Sequence, residues 1–200
     1  MSFDKRAKDW DRLERRVKNA KNIANIILKH IKLEPNYIIA DIGAGTGLLS
    51  SFFDGKVKKI IAIDNSVNML NEFKNKAWKS KIETKKIDLE SDNLDIRVDG
   101  FISSMTLHHI KDIKTLFKKL YSSLNSGGFI ALADLDVEDG SFHSNNSGVY
   151  HFGFDFNRLK ALAKEAGFRE IEIKESRPIQ KEREYRVKVL IAFKRAKSSS

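Results

Sequence analysis

The amino-acid sequence predicts an α/β protein built on an open parallel sheet, and three observations predict it. Short apolar runs of strand length, Tyr37-Ile38-Ile39-Ala40 and Ile60-Ile61-Ala62-Ile63, alternate with longer stretches whose apolar residues recur at helical spacing. Three successive strand-like runs are each closed by an aspartate: Asp41, Asp64 and Asp88. Behind the first run stand three glycines in five residues, Gly43, Gly45 and Gly47. Parallel strands wound this way bring their C-terminal ends to one edge of the sheet, where ligands of open α/β sheets sit.

Each element follows in turn. Residues 4–33 are predicted as a helix, because Trp10, Leu13, Val17, Ala20, Ala24, Ile27, Leu28 and Ile31 recur at helical spacing. Glu34-Pro35-Asn36 breaks it ahead of the first strand. The glycines after Asp41 can take φ > 0 and let backbone approach a ligand closely. The apolar pairs Leu48-Leu49 and Phe52-Phe53 predict a helix from near Thr46, whose N-terminal N–H groups would point at that ligand. Any tight strand-to-helix turn can use glycine, so the acids carry the ligand argument. Asp64, about 20 residues on, is placed to accept both hydrogens of a ribose diol. Asn65-Ser66 then supplies an N-cap, and Met69, Leu70, Phe73 and Ala77 form one helical face. Ile82–Ile87 reads as the third strand and residues 89–98 as a polar connection.

Phe101-Ile102 lies in the fourth strand, which runs out into Ser103-Ser104-Met105. Asp112 caps a helix with Ile113, Leu116, Phe117, Leu120 and Leu124 on its apolar face, and Asn125-Ser126-Gly127-Gly128 stops it. Phe129–Leu135 reads as the fifth strand. Residues 136–154 form an irregular loop of a length that compact domains keep for lids and binding loops, with Gly140, Gly148 and Gly153 as hinges. Asp155–Ala166 reads as a helix ended by Gly167. Ile171/Ile173 marks one strand, and the alternation Tyr185/Val187/Val189/Ile191/Phe193 marks the last. The charged stretch Glu175–Glu184, with Pro178, reads as a protruding turn, and Lys197–Ser200 as a frayed tail.

Composition bounds the classes. The 200 residues, 41% hydrophobic and 32% charged, suit one globular domain with a full core, read here as a single domain over 1–200. The absence of cysteine excludes a disulfide framework and a thiolate metal site, and fits a reducing, cytoplasmic interior. No N-terminal apolar segment resembles a signal peptide, and no apolar run approaches the ~20 residues of a membrane span. The net charge of +10 sits at the two ends. Residues 1–35 carry ten basic and five acidic side chains and residues 174–200 nine and three, so the body between is near neutral. Such ends are either a solvated lysine-rich surface or a patch that attracts nucleic acid or anionic lipid.

The ordered motifs D-I-G-A-G-T-G (41–47), A-I-D-N-S (62–66), K-K-I-D-L-E (85–90), D-G-F-I-S-S-M-T-L-H-H-I (99–110) and L-N-S-G-G-F-I-A-L (124–132) resemble those of class I S-adenosylmethionine-dependent methyltransferases over roughly residues 36–174. The resemblance implies a doubly wound, Rossmann-like sheet of seven strands, the last antiparallel, with helices on both faces. It implies a helical lid over 1–35, a cofactor-binding core over 36–135, a substrate loop over 136–154 and a C-terminal helix and strand pair over 155–200. It implies S-adenosylmethionine as cofactor, held by Asp41, Gly43, Ala44, Gly45 and Gly47 at the turn, with Asp64 on the ribose, Asn65 and Met69 beside the adenine and Asp88 and Leu89 on the adenine edge. Carbonyls of Gly43 and Ser104 would hold the methionine amino group. Trp10 and Arg15-Arg16 are candidates to line the lid, Trp10 being equally a packing anchor.

The acceptor is approached by exclusion. The D/N-P-P-Y/F turn of exocyclic-amine methylation is absent, since Ser103-Ser104-Met105 stands there and the only prolines are Pro35 and Pro178. No cysteine is available for pyrimidine C5 attack, and no acid lies near Ser103-Ser104 for a ribose-methylation tetrad. A small-molecule acceptor is therefore expected rather than nucleic acid, with O-, C- and N-methylation open. L-H-H at 107–109 and the F-H…Y-H-F-G-F loop are similar to relatives of the quinone-biosynthesis methyltransferases. Trp10, His108, Tyr150, His151 and Phe152 are the expected acceptor pocket, and His109 and His143 the candidate bases, imidazole being the side chain suited to proton transfer near neutrality. No H-x-x-x-H or H-E-x-x-H spacing occurs, so no metal site is expected. Two rivals stand beside this reading. An NAD-dependent oxidoreductase would need G-x-G-x-x-G, whereas here the third glycine comes one residue early; the other rival is a non-catalytic cofactor-binding relative. Nothing in the sequence reads out an oligomeric state.

Overall fold

Seven strands form one sheet: β1 (Ile38–Ile42), β2 (Lys59–Asp64), β3 (Lys81–Lys86), β4 (Val98–Ser104), β5 (Leu124–Leu135), β6 (Arg169–Glu175) and β7 (Val187–Phe193). They belong to a computed structural model that describes residue 11 and residues 13–196. The order across the sheet is β3-β2-β1-β4-β5-β7-β6. The first five strands pair in parallel, and β7 runs antiparallel to both of its neighbours. The chain order reverses between β1 and β4, which makes the C-terminal ends of those two strands the switch point where a ligand crevice opens.

Strand alternation divides the core into two layers. Ile39, Ile60, Ile102 and Phe129 face one layer, and Ala40, Ile61, Phe101 and Ile130 face the other. The first layer is covered by α1 (Glu14–His30) through Ile23, Ala24 and Ile27, and by α2 (Val67–Lys74) through Leu70 and Phe73. The second is covered by α3 (Ile113–Ser123) and α4 (Phe156–Ala166). The caps expected at Ser66 and Asp112 form, Ser66 accepting from the Met69 N–H at 3.2 Å and Asp112 from Thr115 at 2.9 Å, and Asp155 caps α4 by accepting from Asn157 at 2.9 Å. Gly167 closes α4 at φ 112°, where a Cβ would also stand 2.8 Å from the Tyr121 ring.

Several expectations need correction. Among the described residues the N-terminal helix runs over Glu14–His30, so it stops short of the expected end at 33; of the expected stretch 4–13 only Asp11 and Leu13 are described, and the expected tail at Lys197–Ser200 lies outside the described residues. The helix expected from Thr46 does not form. One helical turn, closed by Ser51 N–H to the Gly47 carbonyl, gives way to a 3-10 turn at Ser50–Phe52. Ser50 donates its hydroxyl to Asp41, Ser51 donates to the Leu48 carbonyl, and Asp54 accepts the amides of Lys79 and Ser80. These side-chain bonds offer the backbone an alternative to a helical ladder. Leu49 and Phe53 are buried all the same.

β3 ends two residues before Asp88, and β5 begins at Leu124, because Leu124 pairs with Val98 and draws the Asn125–Gly128 stretch into the strand. The stretch 175–184 does not protrude. Ile179–Gln180 pairs antiparallel with Glu184–Tyr185 in a two-stranded ribbon whose Ile179 and Tyr185 are buried. The Tyr185 hydroxyl lies 2.7 Å from that of Ser141, and its ring packs edge-on to Phe142. The ribbon thus fastens the 136–154 loop to the body. No described helix is long and apolar enough to cross a membrane.

Candidate active site

At the C-terminal end of β1 the three glycines serve different needs. All have positive φ: 67° at Gly43, 54° at Gly45 and 86° at Gly47. A Cβ on Gly43 would stand 2.1 Å from the Thr106 hydroxyl oxygen, and one on Gly47 2.6 Å from the Phe73 ring. At Gly45 the nearest protein atom would be Met69 Sδ at 3.9 Å. Packing therefore demands glycine at 43 and 47, whereas at 45 it keeps room over the backbone.

Asp64, at the end of β2, holds this turn in shape. One carboxylate oxygen accepts the Gly45 N–H and the other the Ser66 N–H, each at 2.8 Å. Ala44 is tied to the same strand by its N–H to the Ile63 carbonyl. Asp41 lies beneath the turn, buried, and accepts the Ser50 hydroxyl at 2.7 Å. Burial pushes its carboxyl up to about 7; the Ser50 hydrogen bond opposes that rise and the Asp64 charge adds to it. Asp41 thus supports the turn from below instead of lining its open side.

The other expected cofactor residues lie around the same edge. Met69 is buried beneath Gly45, Asn65 is exposed, and Ser104 is half-buried at the end of β4. Asp88 is exposed in a turn in which it accepts the Glu90 N–H at 3.0 Å, and Leu89 beside it is half-buried. From the N-terminal side Asp11 accepts the Thr46 hydroxyl at 2.5 Å and pairs with Lys76 at 2.5 Å, so Asp11 lies against the glycine turn. Trp10 lies outside the described residues.

The exit of β4 meets the turn. Met105, a non-glycine residue at φ 59°, turns the chain while its N–H holds the Ala133 carbonyl at 2.9 Å. Such backbone strain collects at functional sites. The Thr106 hydroxyl reaches the Gly43 carbonyl at 3.4 Å. A 3-10 turn at Leu107–His109 follows. His108, only 1% exposed, has its Nδ1 2.7 Å from Asp134, and its backbone N–H donates to the same carboxylate at 3.2 Å. Burial alone would raise the Asp134 carboxyl, but the His108 charge and three hydrogen bonds outweigh it and hold it below the ordinary value.

The 136–154 loop delivers His143 to this pair. Ring centroids lie 4.2 Å apart for His108–His109, 4.8 Å for His108–His143 and 5.7 Å for His109–His143. The ligating nitrogens of all three lie within 4.8 Å of one another. His109 Nδ1 lies 2.7 Å from the Gly148 carbonyl, while Nε2 of His108 and of His143 is buried with no hydrogen-bond partner among the described residues. Burial, then the charges of His108 and His109, pull His143 down to about 4. Phe142 backs His143 edge-on at 4.8 Å and carries the Lys181 ammonium 4.0 Å above its ring.

The residues expected to line the acceptor pocket do not all meet at the cluster. His151 turns away from the cluster, its Nε2 at 2.9 Å from the Ile110 carbonyl and its ring against Phe154. Tyr150 and Phe152 are 55% and 44% exposed, because it is their backbone that is tied down: Tyr150 N–H bonds the His108 carbonyl and the Phe152 carbonyl accepts from Glu138. Asp134, Met105 and Thr106 complete the site without having been singled out from sequence. Only Asp134 left a signal there, an acid inside the apolar run Ile130–Leu135.

The chain was compared with known proteins. Residues 40–132 match a family model described as a methyltransferase domain. A methyltransferase of Schizosaccharomyces pombe is 30% identical over 154 residues, covering 68% of this chain and 54% of that protein. The malonyl-acyl-carrier-protein O-methyltransferase of Acetivibrio thermocellus is 27% identical over 164 residues, covering 80% and 54%. Among solved structures, phosphoethanolamine N-methyltransferase 2 of Haemonchus contortus in complex with S-adenosylmethionine superposes with a TM-score of 0.67 at 17% identity, covering 88% of this chain and 52% of that one. The chain therefore spans about half the length of these relatives.

Proposed function

This chain belongs to the class I S-adenosylmethionine-dependent methyltransferases, and from that premise we propose that it transfers the sulfonium methyl group to a small-molecule acceptor held against His108, His109 and His143. One observation carries the reading. The Thr106–Gly43 contact joins the exit of β4 to the glycine turn, so the imidazole cluster stands directly beside the cofactor crevice.

The residues present fit the cofactor. A Cβ at Gly45 would meet only Met69 Sδ, which leaves room for the cofactor over the backbone, and the Asp64 carboxylate at the end of β2 is the acceptor that would take the ribose hydroxyls. Asn65 and Met69 would flank the adenine, Asp88 and Leu89 would read its edge, and the Gly43 and Ser104 carbonyls would take the amino group. Bound there, S-adenosylmethionine supplies a methyl group already activated by a positive sulfur. What the chain must add is alignment and exclusion of water. The ribbon-fastened loop and Asp11 supply cover, and His109 and His143 touch the acceptor at its nucleophilic atom. The relatives' names give acceptors as unlike as malonyl-acyl-carrier protein, methylated on oxygen, and phosphoethanolamine, methylated on nitrogen, so the family alone does not fix the acceptor atom. The comparisons lend the oxidoreductase reading no support.

The test is transfer of a labelled methyl group from the cofactor into fractionated cell extract. Label in the small-molecule fraction is expected, lost by a factor on the order of 10²–10⁴ in His109→Ala and His143→Ala while calorimetric cofactor affinity holds. Cofactor binding without transfer into any fraction would make the chain a non-catalytic relative.

A further inference from the structure

We propose that His108, His109 and His143 bind one divalent transition-metal ion of the zinc class, with Asp134 as the outer carboxylate that orients His108. The proposal deepens the functional reading, since it names what activates the acceptor, but the site stands on its own geometry.

Four observations converge. First, three imidazoles place their ligating nitrogens within 4.8 Å of one another. Nitrogens bound to one zinc ion at about 2.0–2.1 Å are separated by roughly 3.3 Å, so closure requires a shift of about an ångström or more. The member that must move, His143, rides on an irregular loop with glycines at φ 86° and 75°, Gly140 and Gly148. Second, His108 Nε2 and His143 Nε2 are buried without a hydrogen-bond partner among the described residues. Buried polar atoms are normally satisfied, and a ligand would satisfy both at once.

Third, Asp134 and the Gly148 carbonyl only accept, so each takes an Nδ1–H, from His108 and His109; in neutral His108 this leaves Nε2, buried and without a partner among the described residues, as the lone-pair nitrogen. Fourth, the His108–Asp134 pair is the carboxylate–histidine arrangement that steadies metal-ligating imidazoles. The donor set decides the metal class: three neutral nitrogens suit zinc, cobalt, nickel, copper or iron(II), and not magnesium or calcium. Three protein ligands leave a fourth position open, as in catalytic zinc sites, and on the functional reading it is filled by an oxygen or sulfur of the acceptor.

The sequence concealed this site because two ligands are adjacent in the chain and the third stands 34 residues further on, a spacing found in no short zinc motif. The experiment uses the whole chain, stripped with chelator and titrated with zinc against a chromophoric competitor. Cobalt(II) serves as a second probe, because its visible absorption reports coordination geometry. One equivalent per chain is expected, at micromolar affinity or tighter and with a four-coordinate cobalt spectrum. His143→Ala should abolish that spectrum and weaken zinc binding at least a hundredfold, while S-adenosylmethionine affinity shows that the fold persists. Asp134→Asn should weaken zinc by about 10–100-fold. Binding that survives His143→Ala unchanged, or less than one equivalent at tens of micromolar zinc, overturns the proposal. The two readings fail separately: methyl transfer by zinc-free protein that added zinc does not raise leaves the functional reading standing without the metal, whereas tight zinc binding with no transfer leaves the metal site and removes the activity.

Discussion

Single residues at the glycine turn give predictions that pull in different directions. Gly43→Ala and Gly47→Ala collide with Thr106 and Phe73, so both should lower the melting temperature. At Gly45 a Cβ would meet only Met69 Sδ at 3.9 Å, so Gly45→Val should remain folded, apart from about 1–2 kcal/mol of left-handed strain, yet lose cofactor binding in calorimetry. Unaltered affinity in a folded Gly45→Val protein would place the cofactor elsewhere. Asp64→Ala should weaken cofactor binding by ~2–4 kcal/mol. Asp41 carries a pH signature. Its carboxyl, raised to about 7, stays protonated in the fold where the unfolded chain releases the proton near pH 4. The contribution is therefore complete below pH ~4, declines as pH rises and is gone above pH ~7. Urea denaturation should show Asp41→Asn gaining on the wild type, by up to a few kcal/mol, between pH 5 and pH 8. At this scale the sequence announced the glycines and acids through their types and spacing. It could not announce that Asp41 faces inward, which depends on Ser50 nine residues away, or that His108 leans on Asp134, 26 residues away.

Among the elements, strands that are short apolar runs and helices with capped starts were legible, because run length, period and caps are local. The 3-10 turn at Ser50–Phe52 was not, since apolar pairs suggest a helix whether or not serine hydroxyls divert the backbone. Nor was the ribbon at 179–185: Ile179 and Tyr185 point inward, but six residues of charge between and around them read as solvent-facing. That ribbon makes a testable link to the site. Tyr185→Ala removes the support of Phe142 and with it the placement of His143. Hydrogen exchange over 138–150 should quicken and turnover should fall at least tenfold, with cofactor affinity within twofold of normal. Exchange that stays slow would show that the loop holds itself.

Over the whole molecule, the sheet order and both layers follow the pattern expected of the alternating elements, while the approach of α1 to the ribbon does not show in one dimension. α1 packs against β7 and the ribbon, so Arg15 and Arg16 stand close enough for Lys181 to feel their charge. Nucleic acid should bind there only weakly and less with added salt, since counterion release drives such contacts. No labelled methyl group should enter purified tRNA, rRNA or DNA at catalytic rates; incorporation would overturn the small-molecule reading. The sheet also constrains how the chain is made. β7 is the last strand to leave the ribosome, yet it lies between β5 and β6. During synthesis the edge of β5 must wait unpaired, and β6 has no strand to join, until residues 187–193 arrive. Until then the nascent protein displays an unpaired apolar edge, and chaperone dependence and aggregation should concentrate in that interval.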